Sequence, residues 1–404
     1  MILYGILALS VLVFVHELGH FLLAKWNGVG VLEFAVGFGK KIFRKRIGET
    51  TYAIGLIPLG GYVRMVGDDP RALDPSFSPE VQDGKGATDL LEGRSVDEPL
   101  SDEEKALLND RSKWFLTKGY WAKTSIVLAG PVFNLLFAIL LSFSLHLVYG
   151  RPDPLSIGEK PIIGEVVPGY PADKAGIKPL DFVYSIDGVV LSSWVDLSGT
   201  IAKSGGKELT LLVDRKDALG NLLPRFEVKV SGTFDNSDLT ALDDVPPEAR
   251  RAMIGISPHF HRVSVSVWEA AKIAPQHVWY ISKMTLKGLY AMVSGKVSSK
   301  SIAGPVYIFG EAARTAEQGM DSLITFMILL SVSLAIFNLL PVPVLDGGHL
   351  LFFTIAALKG GPVNLKAQQY ATQLGMALLL ALMIFAVSND FLRHFPGGIL
   401  GFFQ

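Results

Sequence analysis

The residues best suited to chemistry lie close to the start of the chain, in Val15-His16-Glu17-Leu18-Gly19-His20. Two histidines four apart on a helix project from nearly the same face, about 40° apart around the axis and about 6 Å along it. At that spacing both imidazoles reach one zinc ion, and Glu17 beside them can take a proton from water that the metal activates. The motif closes a hydrophobic run that begins at Ile2. Ionisable side chains in such a run are costly and default to a functional reading, which argues against a chance match on an ordinary membrane helix.

Zinc in a catalytic site needs a third protein ligand and an open position. A second polar interruption, Asn338-Leu339-Leu340-Pro341-Val342-Pro343-Val344-Leu345-Asp346-Gly347-Gly348, offers one. Prolines and paired glycines free backbone groups, which at membrane depth are tolerated only where they line a cavity or are buried in protein. Asp346 is a hard oxygen ligand of the right charge. His349 is a rival ligand, although a polar residue at a helix start is the plainer reading of it.

These groups need a membrane scaffold, and composition supplies one. Half of the 404 residues are hydrophobic and only 19% are charged, and mean hydropathy is +0.38, which moves the chain toward the membrane class. The net charge of -1 gives no basic excess for nucleic acid. With no cysteine, thiolate metal sites and disulfides are excluded. The N-terminal run lacks a basic leader and a small-residue cleavage site, so it is expected to be a retained transmembrane helix.

Four segments can span a bilayer, at about 3–24, 125–148, 323–340 and 370–387. Lys25, Lys40, Lys41 and Arg44 follow the first, Arg111, Lys113 and Lys123 precede the second, and Lys359 and Lys366 lie between the third and fourth. The positive-inside rule then places the loops 25–122 and 353–369 in the cytoplasm, with 150–320 and the C-terminus outside. The third span runs inward, so Asp346 falls at the depth of His16 and His20. The expected fold class is a polytopic α-helical membrane protein with four transmembrane helices, a membrane-associated β-hairpin region and an inserted α+β domain. Its parts are a zinc-motif helix (1–25), β-hairpins (26–66), a cytoplasmic acidic loop (67–122), a second span (123–149), an extracytoplasmic domain with its C-terminal extension (150–261), interfacial amphipathic helices (262–320), a broken span carrying a metal ligand (321–352), a cytoplasmic loop (353–369), a fourth span (370–390) and an extracytoplasmic tail (391–404).

Within this frame, 32–36 and 51–65 are rich in Val, Ile, Tyr and Phe and are broken by Gly37-Phe38-Gly39, Pro58 and Gly60-Gly61, which reads as hairpins with glycine turns. An unpaired strand edge beside a metal site can accept an extended peptide through main-chain hydrogen bonds. The stretch 68–110 is acidic and aperiodic and is expected to be a loop, with a short helix at 102–109. In 155–232 the order is strand, Pro-Gly turn, short helix, strand into Asp187-Gly188, helix near 194–202, then strands at 209–214 and 226–230. That order, and "GYPADKAGIKPLDFVYSIDG" in particular, resembles a bacterial PDZ domain, which implies a groove for a peptide or C-terminus; Leu180 stands where that family usually has glycine. Trp268, Trp279 and Tyr280 suit a membrane interface.

HELGH in the first span, "VGFGK", "IPLGGYVRM", "AGPVFNLLFA" at 129–138, the PDZ-like order and "NLLPVPVLDGGH" occur together and in sequence over most of the chain. As a set they resemble the site-2 protease family of intramembrane zinc metalloproteases, in the branch of the bacterial regulator of sigma-E protease, here with room for one PDZ domain rather than two. The resemblance implies a bacterial inner-membrane protease with Zn2+ held by His16, His20 and Asp346, and with Glu17 as general base. It also implies that Asn338 holds the substrate backbone, that Gly37, Phe38 and Gly39 present an edge strand to it, and that the substrate is a single-span membrane protein already trimmed outside. Two rivals are a non-catalytic membrane-anchored PDZ adaptor and a divalent-metal transporter. The first does not need Glu17 between two histidines, and the second calls for a repeat of spans that is not evident.

Overall fold

The structure is a computed structural model that describes residues 2–68, 102–153, 160–217, 219–234, 252–259, 262–295 and 304–394. The chain divides into two units. One comprises 1–143, 274–285 and 302–404, and the other comprises 144–273 and 286–301.

In the first unit, α1 (Ile2–Trp26) carries no charged side chain before His16. It stops where the Asn27 side chain donates to Leu23 O and Gly28 turns to φ 66°, a left-handed exit that glycine adopts without strain. Two long strands follow, β1 (Val31–Ile47) and β2 (Thr50–Met65). Both bend, so they form three ladders rather than one hairpin. Residues 43–47 pair back on 50–54, residues 31–36 pair antiparallel with 61–65, and 33–36 run beside 51–54 with both numbers rising together. The result is a four-ribbon sheet in the order 61–65, 31–36, 51–54, 43–47. Phe34 anchors it to α1 between Phe14 and Phe21, with ring centroids 5.8 and 5.2 Å away.

The stretch expected as a loop to residue 122 is folded over its described part. Residues 69–101 lie outside the described residues. The short helix α2 (Asp102–Asn109) is present where it was expected, and Leu107, Leu108 and Trp114 are buried against Leu32 and Val66. Phe115 N donates to Val66 O and Gly30 N to Lys113 O, which ties the segment to the sheet. The helix α3 (Tyr120–Tyr149) then begins a few residues before the expected second span.

The second unit is α+β. Its elements are β3 (Arg151–Pro152), β4 (Ile163–Val166), α4 (Pro171–Lys174), β5 (Phe182–Ile186), β6 (Val189–Val190), α5 (Trp194–Lys203), β7 (Glu208–Asp214), β8 (Phe226–Ser231), β9 (Thr233–Phe234), β10 (Ala252–Met253), β11 (Ile256–Pro258) and β12 (Arg262–Val263). The main sheet has the order β6-β5-β7-β8, and the smaller ladders pair β4 with β11, β9 with β10 and β3 with β12. β7 alternates, burying Leu209, Leu211 and Val213, against Ile163, Leu197 and Ile254 in one apolar core. Each such side chain contributes roughly 1.5–3 kcal/mol by leaving water. Asp181 is fully buried and is held by two Arg215 hydrogen bonds of 2.7 Å, which raise Arg215 above its ordinary pKa. Leu180, where glycine was expected, sits at φ 70°. The backbone keeps the left-handed turn although the side chain resists it. β10 and β11 lie in the stretch read only as an extension, yet β11 completes the ladder with β4.

The chain then enters α6 (Val267–Val293), opened by a capping box between Ser266 and Glu269. Trp268, Trp279 and Tyr280 are exposed along it. Next come α7 (Pro305–Gln318), α8 (Met320–Asn338), α9 (Asp346–Lys359) and α10 (Leu365–His394). The buried Asp390 carboxylate of α10 accepts from Gly304 N and Tyr307 N, capping α7 from 83 residues or more away. Among the described residues four helices, α1, α3, α8 and α10, are long and apolar enough to cross a membrane. The chain is thus a polytopic membrane protein with a β-rich region. One boundary changes: the expected loop 353–369 is largely helix, because α9 continues to Lys359 and α10 starts at Leu365.

Candidate metal centre

The second half of α1 brings His16 and His20 to one face, both buried, with their Nε2 atoms 3.2 Å apart and their rings edge to face. Asp346 opens α9. Its Oδ2 lies 3.2 Å from His16 Nε2 and 3.6 Å from His20 Nε2. Among the described residues these three form the one group of metal-ligating side chains, with ligand atoms all within 4.8 Å of one another.

Each position has a local cause. α3 approaches α1 closely because both helices carry glycine at the crossing: a Cβ on Gly19 would strike the Ala129 carbonyl, and one on Gly130 would fall on the His20 and His16 rings. From α3, Ile126 O accepts the His20 Nδ1 proton at 2.8 Å. That bond fixes the tautomer and leaves the Nε2 lone pair pointing inward. On the other side of the site α8 ends at Asn338, and Pro341 and Pro343 cannot supply helical amides. Val344 at φ 111° reverses the chain into α9, a strained conformation for a β-branched residue, costing on the order of 1–3 kcal/mol. The turn is tight because Gly347 and Gly348 lie against the backbone of 339–343, and Gly375 of α10 lies against Pro343.

The donor set fits zinc. Asp346 Oδ2 is buried and receives no hydrogen bond, although two imidazole nitrogens face it. Lone pairs converging in this way repel one another unless a cation sits among them. Two imidazoles and one carboxylate, with space beside them, are the ligands of a catalytic zinc site rather than a closed structural one. That space is a cleft of about 920 Å³ lined by His16, His20, Asp346, Glu17, Asn338, His349 and the ribbon from Gly60 to Val63, with Gln368, Gln369, Thr372 and Gln373 from α10. Gly61 makes room for Glu17: a Cβ there would stand 3.0 Å from Glu17 Cγ. Asn338 Nδ2 lies 3.3 Å from His16 Nε2. His349 lines the cleft but is not one of the three converging groups.

Gly37, Phe38 and Gly39 are not among the residues lining the cleft. Gly37 and Gly39, at φ 84° and 79°, bend β1 from one partner to the next. Phe38 stacks on Tyr62 with centroids 6.3 Å apart and so backs the ribbon that does face the cleft. Sequence reasoning read 51–65 as strand but did not single out 60–63 as the part that faces the cleft, and it missed the glutamine-rich start of α10 and Asn134, whose amide lies 3.1 Å from His16 Nδ1. The signal for Asn134 was a single amide in an otherwise apolar stretch of the second span.

A glycine that admits two imidazole rings cannot be enlarged without moving them. Gly130→Ala is expected to weaken zinc binding by about 10-fold or more while the protein still inserts and folds. Competition against a chelator of known affinity measures it, and an unchanged affinity would show that α3 does not press on the rings as described.

Two buried imidazoles on a membrane-spanning helix that meet a carboxylate at the start of α9, beside a glutamate and an open cleft, define a membrane metalloprotease. The chain belongs to peptidase family M50, the site-2 proteases, whose profile matches residues 4–382. Its relatives include the regulator of sigma-W protease RasP of Bacillus subtilis, 30% identical over 438 residues that cover 96% of this chain and 98% of that protein. The zinc metalloprotease RasP of Geobacillus kaustophilus is 31% identical over 435 residues, covering 96% and 97%. That of Bacillus licheniformis is 30% identical over 437 residues, covering 96% and 98%. The protein is therefore a zinc metalloprotease of the site-2 type.

Proposed function

We propose that this enzyme cuts single-span membrane proteins within their transmembrane segment, after their outer part has been trimmed, in the bacterial inner membrane. The observation that carries this reading is the meeting of His16, His20 and Asp346 in a cleft bounded by a strand edge.

In this reading His16 and His20 hold the metal through Nε2 and Asp346 through Oδ2. Zinc so held supplies Lewis acidity, polarising the scissile carbonyl and lowering the pKa of water toward about 7. Glu17 accepts the proton of the attacking water and later passes it to the leaving amine. A helical substrate hides its amides in internal hydrogen bonds, so it must unwind before attack. Residues 61–65 pair only with 31–36 among the described residues, and Gly61, Tyr62 and Val63 line the cleft. The free side of that ribbon suits an extended segment added as a further strand. Asn338 is placed to donate to a substrate carbonyl, and the bend at Gly37-Phe38-Gly39 supports the ribbon through Tyr62. The α+β unit, read as a PDZ domain, acts as an outer filter against bulky ectodomains or binds new C-termini. The basic residues flanking the spans support a topology with that unit outside and the metal centre near the cytoplasmic side.

The test uses the purified protein in lipid nanodiscs with a panel of single-span proteins, each offered with a short outer stub and with a folded outer domain. Cleavage inside the span of the stub forms is expected, with the folded forms cut at least about 10-fold more slowly. Equal cleavage of both would remove the filter. A zinc-loaded enzyme that cuts only outside the spans would overturn the proposal.

A further inference from the structure

Three features of α3 have no part in the chemistry above. Asn134 is fully buried in that apolar helix. Its Nδ2 lies 3.1 Å from His16 Nδ1. Its Oδ1 is buried with no hydrogen-bond partner.

A neutral imidazole carries one N–H. His16 Nε2 is the nitrogen that faces Asp346 Oδ2 and His20 Nε2, each at 3.2 Å, so as a metal ligand His16 must keep its proton on Nδ1. Nδ1 is then a donor in need of an acceptor. With Nδ2 toward the ring, donor meets donor and the amide oxygen is orphaned. Turning the amide by 180° cures the first fault, because it brings Oδ1 onto the Nδ1 proton and leaves Nδ2 at the position that Oδ1 held. The hydrogen-bond network is what decides the orientation of an amide.

We propose that Asn134 is a positioning residue for the metal: its Oδ1 accepts the His16 Nδ1 proton, fixing the tautomer that turns the Nε2 lone pair toward zinc. This rests on reading His16, His20 and Asp346 as the metal ligands. The residues of α3 form a matched set on one face. Ile126 O orients His20, Gly130 leaves space for both rings, and Asn134, four residues further on, orients His16. Ser331 of α8, itself fully buried, donates to Asn134 O at 2.8 Å. That bond to the main-chain carbonyl ties the α3 backbone at Asn134 to the helix that ends at Asn338.

Two variants separate this role from simple packing. Asn134→Asp keeps an acceptor but cannot donate, and Asn134→Leu fills similar space and does neither. Zinc affinity is measured by chelator competition on purified protein, and the visible spectrum of the Co2+-loaded protein reports ligand geometry. The Asp variant is expected to bind zinc within about threefold of wild type. The Leu variant is expected to bind about 10–100-fold more weakly, with a displaced Co2+ band. If the amide served as a donor or only as filler, Asp would be as damaging as Leu or worse, and that result overturns the assignment. So does a Leu variant with wild-type affinity and spectrum. Should the Leu variant fail to fold, the Asp variant decides alone. A wild-type protein that binds no zinc would instead overturn the ligand set itself, and is recognised before any variant is made.

Discussion

Glu17→Gln is expected to hold as much zinc as wild type and to cleave a membrane substrate about 10²–10⁴-fold more slowly, the range that a positioned general base contributes. The substitution keeps the size of the side chain and its place beside Gly61, and removes only its capacity to take a proton. Glu17 is not among the converging ligand groups, so the metal should stay. Zinc content and cleavage are measured on the same preparation. Cleavage at the wild-type rate would mean that another group takes the proton, and loss of zinc would mean that Glu17 is a ligand.

His20→Ala is expected to lower zinc affinity by more than about 100-fold and to abolish cleavage. Two causes combine. One of the three proposed ligands disappears, and the Ile126 carbonyl that holds its Nδ1 proton loses its partner. His349→Ala is the control. That ring lines the same cleft without joining the ligand group, so the zinc content should not change. If His349→Ala loses the metal and His20→Ala keeps it, the ligand set has been read on the wrong helix face.

The parts of the site that were legible in the sequence are those with a short period or a local cost. His16 and His20 are four apart on an apolar helix, and that spacing alone puts them on one face. Asp346 stood out because prolines and paired glycines interrupt a span. The strand edge was harder, because β1 and β2 change partners. Gly37-Phe38-Gly39 looks like the exposed turn of a hairpin, yet the ribbon beside the metal is 61–65, brought there by pairing with 31–36. Sequence spacing does not reveal a ladder that skips about thirty residues. A helix start near His349 was legible, but the length of α9 was not, because the apolar run after Leu350 reads equally well as the end of a broken span. The helix at 102–109 was legible, but 110–119 looked polar enough for a loop, because their buried anchors, Trp114, Phe115 and Leu116, form a run of only three residues. Leu180 shows the opposite case, where the family pattern asks for glycine and the backbone keeps the left-handed turn without it.

The most direct test of the account measures zinc per chain and cleavage of a single-span substrate together, through chelation and re-addition of the metal. The prediction is about one zinc per chain, with both quantities falling together and returning together. A preparation stripped of metal that still cleaves at its original rate would contradict it.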